Sequence, residues 1–216
     1  MKQSSGNIIR GFWLLARGQG QGIEEFGNSV PAFAASLAPL VAFPLVGAIL
    51  MAMQHEYWIA GMLFCSRLVG VLLQPVTIEF ASRRFGGNER WLMTSTALNW
   101  SIWMMLPLMF FVILIDGTLG ALGLPDPVSA AGSIGALVGY MLWLQWFIVK
   151  SGLRMAGWTA ALVLIAITVA VGAVNALPYL IYPGLLTHLI HLQPLPNHAP
   201  ASSLPAGATP RSLNAR

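Results

Sequence analysis

The sequence predicts an all-α fold, a polytopic membrane helical bundle of about five transmembrane helices. Two observations lead to this prediction. Of the 216 residues, 56% are hydrophobic and only 8% are charged, whereas about 25% of the residues of an ordinary soluble domain are charged. The charged residues also lie between uncharged apolar blocks of about 20 residues, the length that a helix needs to cross the hydrocarbon core.

The first apolar block, residues 33–53, follows a segment at 28–31 whose asparagine or serine can cap a helix and whose proline suits a first turn. Pro39 and Pro44 interrupt this block, and each frees a backbone carbonyl one turn earlier. A tolerated kink is the simpler interpretation, and a hinge or an ion-coordinating break is the alternative. The four later blocks show no strand-like alternation and cover residues 57–78, 92–115, 131–149 and 156–177.

The sequence predicts three regions: an N-terminal segment (1–32), the five-helix bundle (33–182) and a tail (183–216). Arginines interrupt the apolar stretch of the N-terminal segment, so we expect it to be retained. The tail becomes rich in proline, alanine and serine beyond about Gln193, which predicts disorder because such a composition cannot bury enough apolar surface.

A short helix is predicted within the N-terminal segment. Ile8, Phe12 and Leu15 recur at helical spacing, and Arg10 and Arg17 flank them. A helix of this kind either lies in the lipid headgroup region or packs in water on its own bundle. The sequence leaves both placements open.

Arginines and lysines occur in the N-terminal segment, between the second and third spans, and between the fourth and fifth spans. The other two connections carry none. Because basic loops favour the cytoplasm, this alternation predicts a cytoplasmic N-terminus and a C-terminus across a cell inner (plasma) membrane. The net charge of +4 comes from these basic residues beside the spans, which membrane topology explains, so nucleic acid is not an expected partner.

No cofactor or metal is expected. Cys65 is the only cysteine, so an intramolecular disulfide and a cysteine metal cluster are both excluded. His188 and His191 are three residues apart, but no carboxylate or cysteine accompanies them. The HExxH, GxSxG, P-loop and GxGxxG signatures of enzymes are also missing, which predicts a non-enzymatic protein.

Arg67 is the outstanding polar residue, because it lies near the middle of the second span. A guanidinium at that depth should face the bundle interior and find hydrogen-bond partners there. Gln74, on the same helical face, and Asn99 and Gln145 in other spans could complete a polar intramembrane site. The arrangement would serve either as an anion or lipid-headgroup site or as a hydrogen-bond network that sets helix register.

The chain resembles the bacterial Yip1-like (Yip1 domain) membrane proteins over roughly residues 10–180. The resemblance lies in RGFWLLARGQGQGIEEFGNSVPAFAASLAPLVAFPLVG at 10–47, in the five spans, and in WLQWFIVKSGLRMAGWTAALVLIAI at 143–167. It implies a non-enzymatic five-helix protein whose eukaryotic relatives are trafficking scaffolds that bind small GTPases. No functional residue can be transferred from the family.

Two function classes follow. The first is a membrane-organising or partner-binding scaffold that contacts the lipid bilayer and either another membrane protein or a second copy of itself. The alternative is a small permease or a lipid- or anion-handling protein, with a polar route around Arg67. A scaffold needs only its surfaces, whereas a permease needs a cavity.

Overall fold

The computed structural model describes residues 7–123 and 126–187, and all secondary structure in these ranges is helical. The chain divides into a compact unit that ends at Pro178 and a second unit that begins at Tyr179, so the helices belong to the first unit except for the last residues of α7. The seven α-helices are α1 (Ile8–Ala16), α2 (Val30–Met53), α3 (Tyr57–Phe85), α4 (Trp91–Ser101), α5 (Met105–Ala121), α6 (Asp126–Leu153) and α7 (Gly157–Ile181).

Five stretches of helix are long and apolar enough to cross a membrane, which confirms the predicted multi-pass membrane protein. They are Val30–Met53, Tyr57–Phe85, Asn88–Ala121, Pro127–Leu153 and Gly157–Ile181. The second is longer than predicted, because α3 continues to Phe85. An ion pair between Glu79 and Arg83 lies in this additional part, and the helix is followed by Gly86, whose φ is 95°. The third combines α4 and α5 with a 3₁₀ turn at Ile102–Met104. Pro107 explains that turn, since it has no N–H for the carbonyl of Trp103.

The prolines of α2 do not divide it. Pro39 and Pro44 lie inside one continuous helix that begins after a capping bond from the Ala32 N–H to Ser29 Oγ, 3.4 Å long. The structure therefore agrees with tolerated kinks.

The hydrophobic core occupies one half of the bundle. We call this half the capped end, because α1 packs there beside the 86–90 and 154–156 connections, and we call the opposite half, with the 54–56 connection, the open end. The packed core consists of Leu15, Ile23, Phe26, Ile78, Ala81, Met93, Ala97, Leu98, Leu144, Ile148, Val149, Leu153, Ala160, Val163 and Ile167. By contrast, α5, which runs to the open end, contains no buried residue.

The N-terminal segment forms the cap. Leu15, Ile23 and Phe26 are at most 1% exposed, and Phe12 meets the Phe26 ring edge-on with the ring centroids 5.2 Å apart. The predicted helix is therefore present as α1, and it packs on the bundle. Its other face carries the exposed Ile9 and Trp13, so contact with headgroups remains compatible with this packing.

The predicted tail is described only as far as Thr187. Its remainder, which includes His188 and His191, lies outside the described residues.

Candidate functional site

Of the four predicted polar residues, Asn99 has a hydrogen bond to a residue outside the predicted set. Asn99 is 1% exposed, and its Nδ2 donates a 3.0 Å hydrogen bond to Ser36 Oγ, which joins α4 to α2. Ser36 Oγ in turn donates to the carbonyl of Phe33 at 2.7 Å. Asn99 is thus a satisfied structural residue at the capped end. Its placement follows from α4, whose polar side chains are buried among the other helices.

Gln74 and Gln145 are half-buried, on α3 and α6 respectively. Within the part of the chain that the structure describes, no hydrogen bond links either amide to Arg67 or to Asn99. No hydrogen bond among the described residues therefore joins the four predicted side chains, and the polar intramembrane site stays a prediction.

Arg67 is exposed and has no hydrogen bond or ion pair with any described residue. The expectation that its guanidinium is buried and bonded within the bundle is therefore wrong. The physical reason is the position of the core. Arg67 lies ten residues from the start of α3 at Tyr57, or about 15 Å along the helix axis, where the helices of the open end do not close on it.

The face of α3 that carries Arg67 also carries two buried alanines. Ala60 and Ala81 lie seven residues before and fourteen after it, on the same helical face, and both are buried. Val69, two residues on, lies about 200° around the helix. It begins an exposed apolar stripe that continues through Leu72, Val76 and Phe80. Arg67 thus points away from the apolar stripe.

Helix α7 packs beside Arg67. Ser66 Oγ donates a 2.8 Å hydrogen bond to the carbonyl of Val174, and a Cβ at Gly70 would lie 3.0 Å from Asn175 Nδ2. Ser66 and Gly70 are four residues apart, a pair of small residues that allows two membrane helices to approach closely. This pair was a signal in the sequence for close helix packing at this point of α3, but it does not specify α7 as the partner.

Asn175 is a polar residue near Arg67 that the sequence analysis did not single out, because it lies close to the predicted end of the fifth span. Its Nδ2 donates to the carbonyl of Val171 at 2.8 Å, while its buried Oδ1 has no partner. An unused acceptor on α7 and the unused donors of Arg67 are therefore both near the α3–α7 contact. A ligand with an anionic group and a hydrogen-bond donor would match them.

Comparison with models of protein families, with curated protein sequences and with solved structures yields no match to this chain.

Proposed function

We propose that this integral membrane protein binds an anionic ligand at Arg67, in the open end of the bundle, and that it is not an enzyme. The shared chemistry of the ligand is phosphate, supplied by a lipid headgroup or by a free anion. The observation that carries the proposal is the position of Arg67, on the face of α3 opposite the apolar stripe, with no protein partner among the described residues.

The chemistry of arginine supports this choice. Its guanidinium presents five donors in a planar fork that matches the oxygens of phosphate or carboxylate. A lone cation is costly at membrane depth, so a counter-ion stabilises it. The described carboxylates on the spans lie elsewhere: Glu79 pairs with Arg83, Glu89 is at the capped end of the third span, and Asp116 is on α5.

The packed core at the capped end supports a binding cleft rather than a pore. Leu15, Ile23 and Phe26 close that end, and the cap adds hydrogen bonds such as that from Tyr140 to the carbonyl of Ala16, 3.1 Å long. A ligand would thus enter and leave through the open end.

The orientation proposed here places the capped end in the cytoplasm of a bacterial inner membrane. That end carries the basic residues Arg10, Arg17, Arg83, Arg84, Arg90, Lys150 and Arg154. The ligand at Arg67 would then come from the opposite leaflet or compartment.

The test is native mass spectrometry of the full chain, purified in mild detergent and titrated with phosphatidylglycerol, with phosphatidylcholine, or with inorganic phosphate. We expect Arg67→Leu to weaken binding of phosphatidylglycerol or phosphate at least about tenfold, because charge-assisted hydrogen bonds are lost. The affinity of Arg67→Lys should lie between those of the wild type and Arg67→Leu, because lysine keeps the positive charge but lacks the planar guanidinium fork.

Arg84→Leu is the matched control, because Arg84 is an exposed arginine on the same helix at the capped end. It should retain wild-type binding. Equal losses in Arg67→Leu and Arg84→Leu would indicate only general attraction to positive charge, and unchanged binding in a monodisperse Arg67→Leu protein would refute the proposal. If the protein binds phosphatidylglycerol but does not bind inorganic phosphate, the site recognises a lipid headgroup and not a free anion.

A second candidate is a scaffold of Yip1-like type, which one feature of the capped end favours. Glu24 Oε1 lies 3.8 Å from Arg90 Nη2 and 3.9 Å from Arg154 Nη2, so it connects the cap to two separate basic connections. Asn28 Nδ2 adds a 2.7 Å bond to the carbonyl of Glu89. This ordered surface would suit a protein partner. Loss of a co-purified protein in Glu24→Gln but not in Arg67→Leu would favour the scaffold.

A further inference from the structure

A groove on the outside of the bundle lies between α6 and α7, in the half that carries the cap. Its volume is about 500 Å³, and it is lined by Leu142, Trp143, Trp146, Ala161, Leu164, Ile165, Thr168 and Val169. Leu164 is buried, whereas Ile165 and Val169 are exposed, so the groove is open on the outer side of the bundle. The hydroxyl of Thr168 donates to the carbonyl of Leu164 at 2.9 Å. The apolar lining therefore favours hydrocarbon as the occupant.

The groove lies within one leaflet of the membrane. Helix α6 ends at Leu153 and α7 begins at Gly157, both at the capped end. At 1.5 Å per residue, the lining residues lie about 6 to 18 Å from these helix ends along the two axes. One leaflet supplies about 15 Å of a hydrocarbon core that is about 30 Å thick. Because α6 and α7 cross the membrane, the groove follows the direction of the lipid acyl chains.

Lys150 is placed at the headgroup end of this groove. It lies one helical turn from Trp146 toward the capped end, and its Nζ is 5.0 Å from the centroid of the Trp146 ring. The position of that ring is fixed, because Trp146 Nε1 donates a 2.7 Å hydrogen bond to the carbonyl of Gly157. Tryptophan is also the residue that membrane proteins place at headgroup level. A cation therefore adjoins the apolar groove at the depth where a lipid carries its phosphate.

The charge of Lys150 is not neutralised by the protein in the ranges that the structure describes. Its side chain is exposed, and its contact there is with the face of the Trp146 ring and not with a carboxylate. Arg90 and Arg154, by contrast, both lie within 4 Å of Glu24. The ammonium group of Lys150 thus has hydrogen-bond donors for an anion that comes from the membrane.

We propose that the groove between α6 and α7 binds one anionic phospholipid, with an acyl chain along the groove and the phosphate at Lys150. The chain of a zwitterionic lipid would fill the groove equally well, but its headgroup lacks the net negative charge that matches the ammonium group. One lysine near an anionic lipid surface corresponds to about a fivefold preference.

This site is separate from the anion site proposed at Arg67 and does not depend on it. Arg67 is on α3 toward the open end, whereas Lys150 is in the last turn of α6 at the capped end. Substitutions at the two positions therefore distinguish the two proposals.

The experiment measures quenching of tryptophan fluorescence by brominated lipid, with the full chain reconstituted in phosphatidylcholine vesicles. Bromine quenches the tryptophans that it approaches closely, and Trp143 and Trp146 line the groove. Brominated phosphatidylglycerol should quench these two rings at about fivefold lower mole fraction than brominated phosphatidylcholine. Lys150→Gln should remove this difference, and Lys150→Arg should keep it because arginine keeps the charge. The double variant Trp143→Phe, Trp146→Phe should lack it, since the rings in the groove are replaced.

Arg84→Gln is the matched control, because Arg84 is an exposed cation at the same end of the bundle but on α3. It should keep the preference for phosphatidylglycerol. Equal quenching of the wild type by both lipids would overturn the proposal, as would a preference that persists in Lys150→Gln. A preference that is lost in Arg67→Leu but kept in Lys150→Gln would assign the lipid to Arg67. A dimer whose groove rings neither lipid quenches would show a second copy as the occupant and would also overturn it.

Discussion

Gly152 is the position at which one methyl group should destabilise the bundle most clearly. It lies on α6 near the cap, and a Cβ there would come within 2.8 Å of both Ile23 Cδ1 and Thr94 Cγ2, and still closer to Thr94 Oγ1. Thr94 is fully buried, and its hydroxyl donates to the carbonyl of Arg90 at 2.9 Å. Arg90 Nε also donates to the Gly152 carbonyl at 2.9 Å, so a backbone shift that relieved the contact would weaken this hydrogen bond.

The expected magnitude follows from these contacts. Overpacking of a well-packed core costs about 1–3 kcal/mol, while replacement of a helical glycine by alanine contributes up to about 1 kcal/mol of stability. Gly139→Ala on the same helix has only the stabilising effect of alanine in a helix, because no described atom of another helix lies within 4 Å of the Cβ position of Gly139. The difference between the two variants therefore isolates the steric cost, about 1–3 kcal/mol.

The assay is thermal unfolding of both full-length variants in one detergent at one scan rate, since membrane proteins often unfold irreversibly. A steric cost of this size predicts that Gly152→Ala melts about 2–12 °C below Gly139→Ala. If Gly152→Ala melted at or above the temperature of Gly139→Ala, the close contact of α6 with α4 and the cap would be refuted.

Two further perturbations test the interactions of the capped end. Asn99→Ala should destabilise the protein by about 1–2 kcal/mol, because it removes the buried bond to Ser36. Chemical unfolding should show this loss, and it should show less than about 0.5 kcal/mol for the exposed Thr118→Ala. Glu24→Gln should cost less than about 1 kcal/mol, because Glu24 is 63% exposed and its ion pairs are screened. The Tm difference from wild type should shrink as salt is raised, and a difference that grows with salt would contradict the ion-pair assignment.

The sequence alone was sufficient for the number and approximate limits of the five spans and for the presence of α1. These properties depend on local hydropathy and on the helical period, and both are determined by the residues of each stretch without any tertiary contact. The same reasoning selected Arg67, because a charge in a long apolar block is visible without knowledge of any neighbour.

Only the tertiary structure decided which side chains meet. Asn99 bonds to Ser36 and not to Arg67, and α7 approaches α3 at Ser66. Hydropathy does not specify these pairings, because in a membrane every span is apolar and the contacts depend on small residues and on the polar groups that must be satisfied. The exposure of Arg67 likewise follows from where the helices pack closely and where they separate, which is a property of the whole bundle and of no single span.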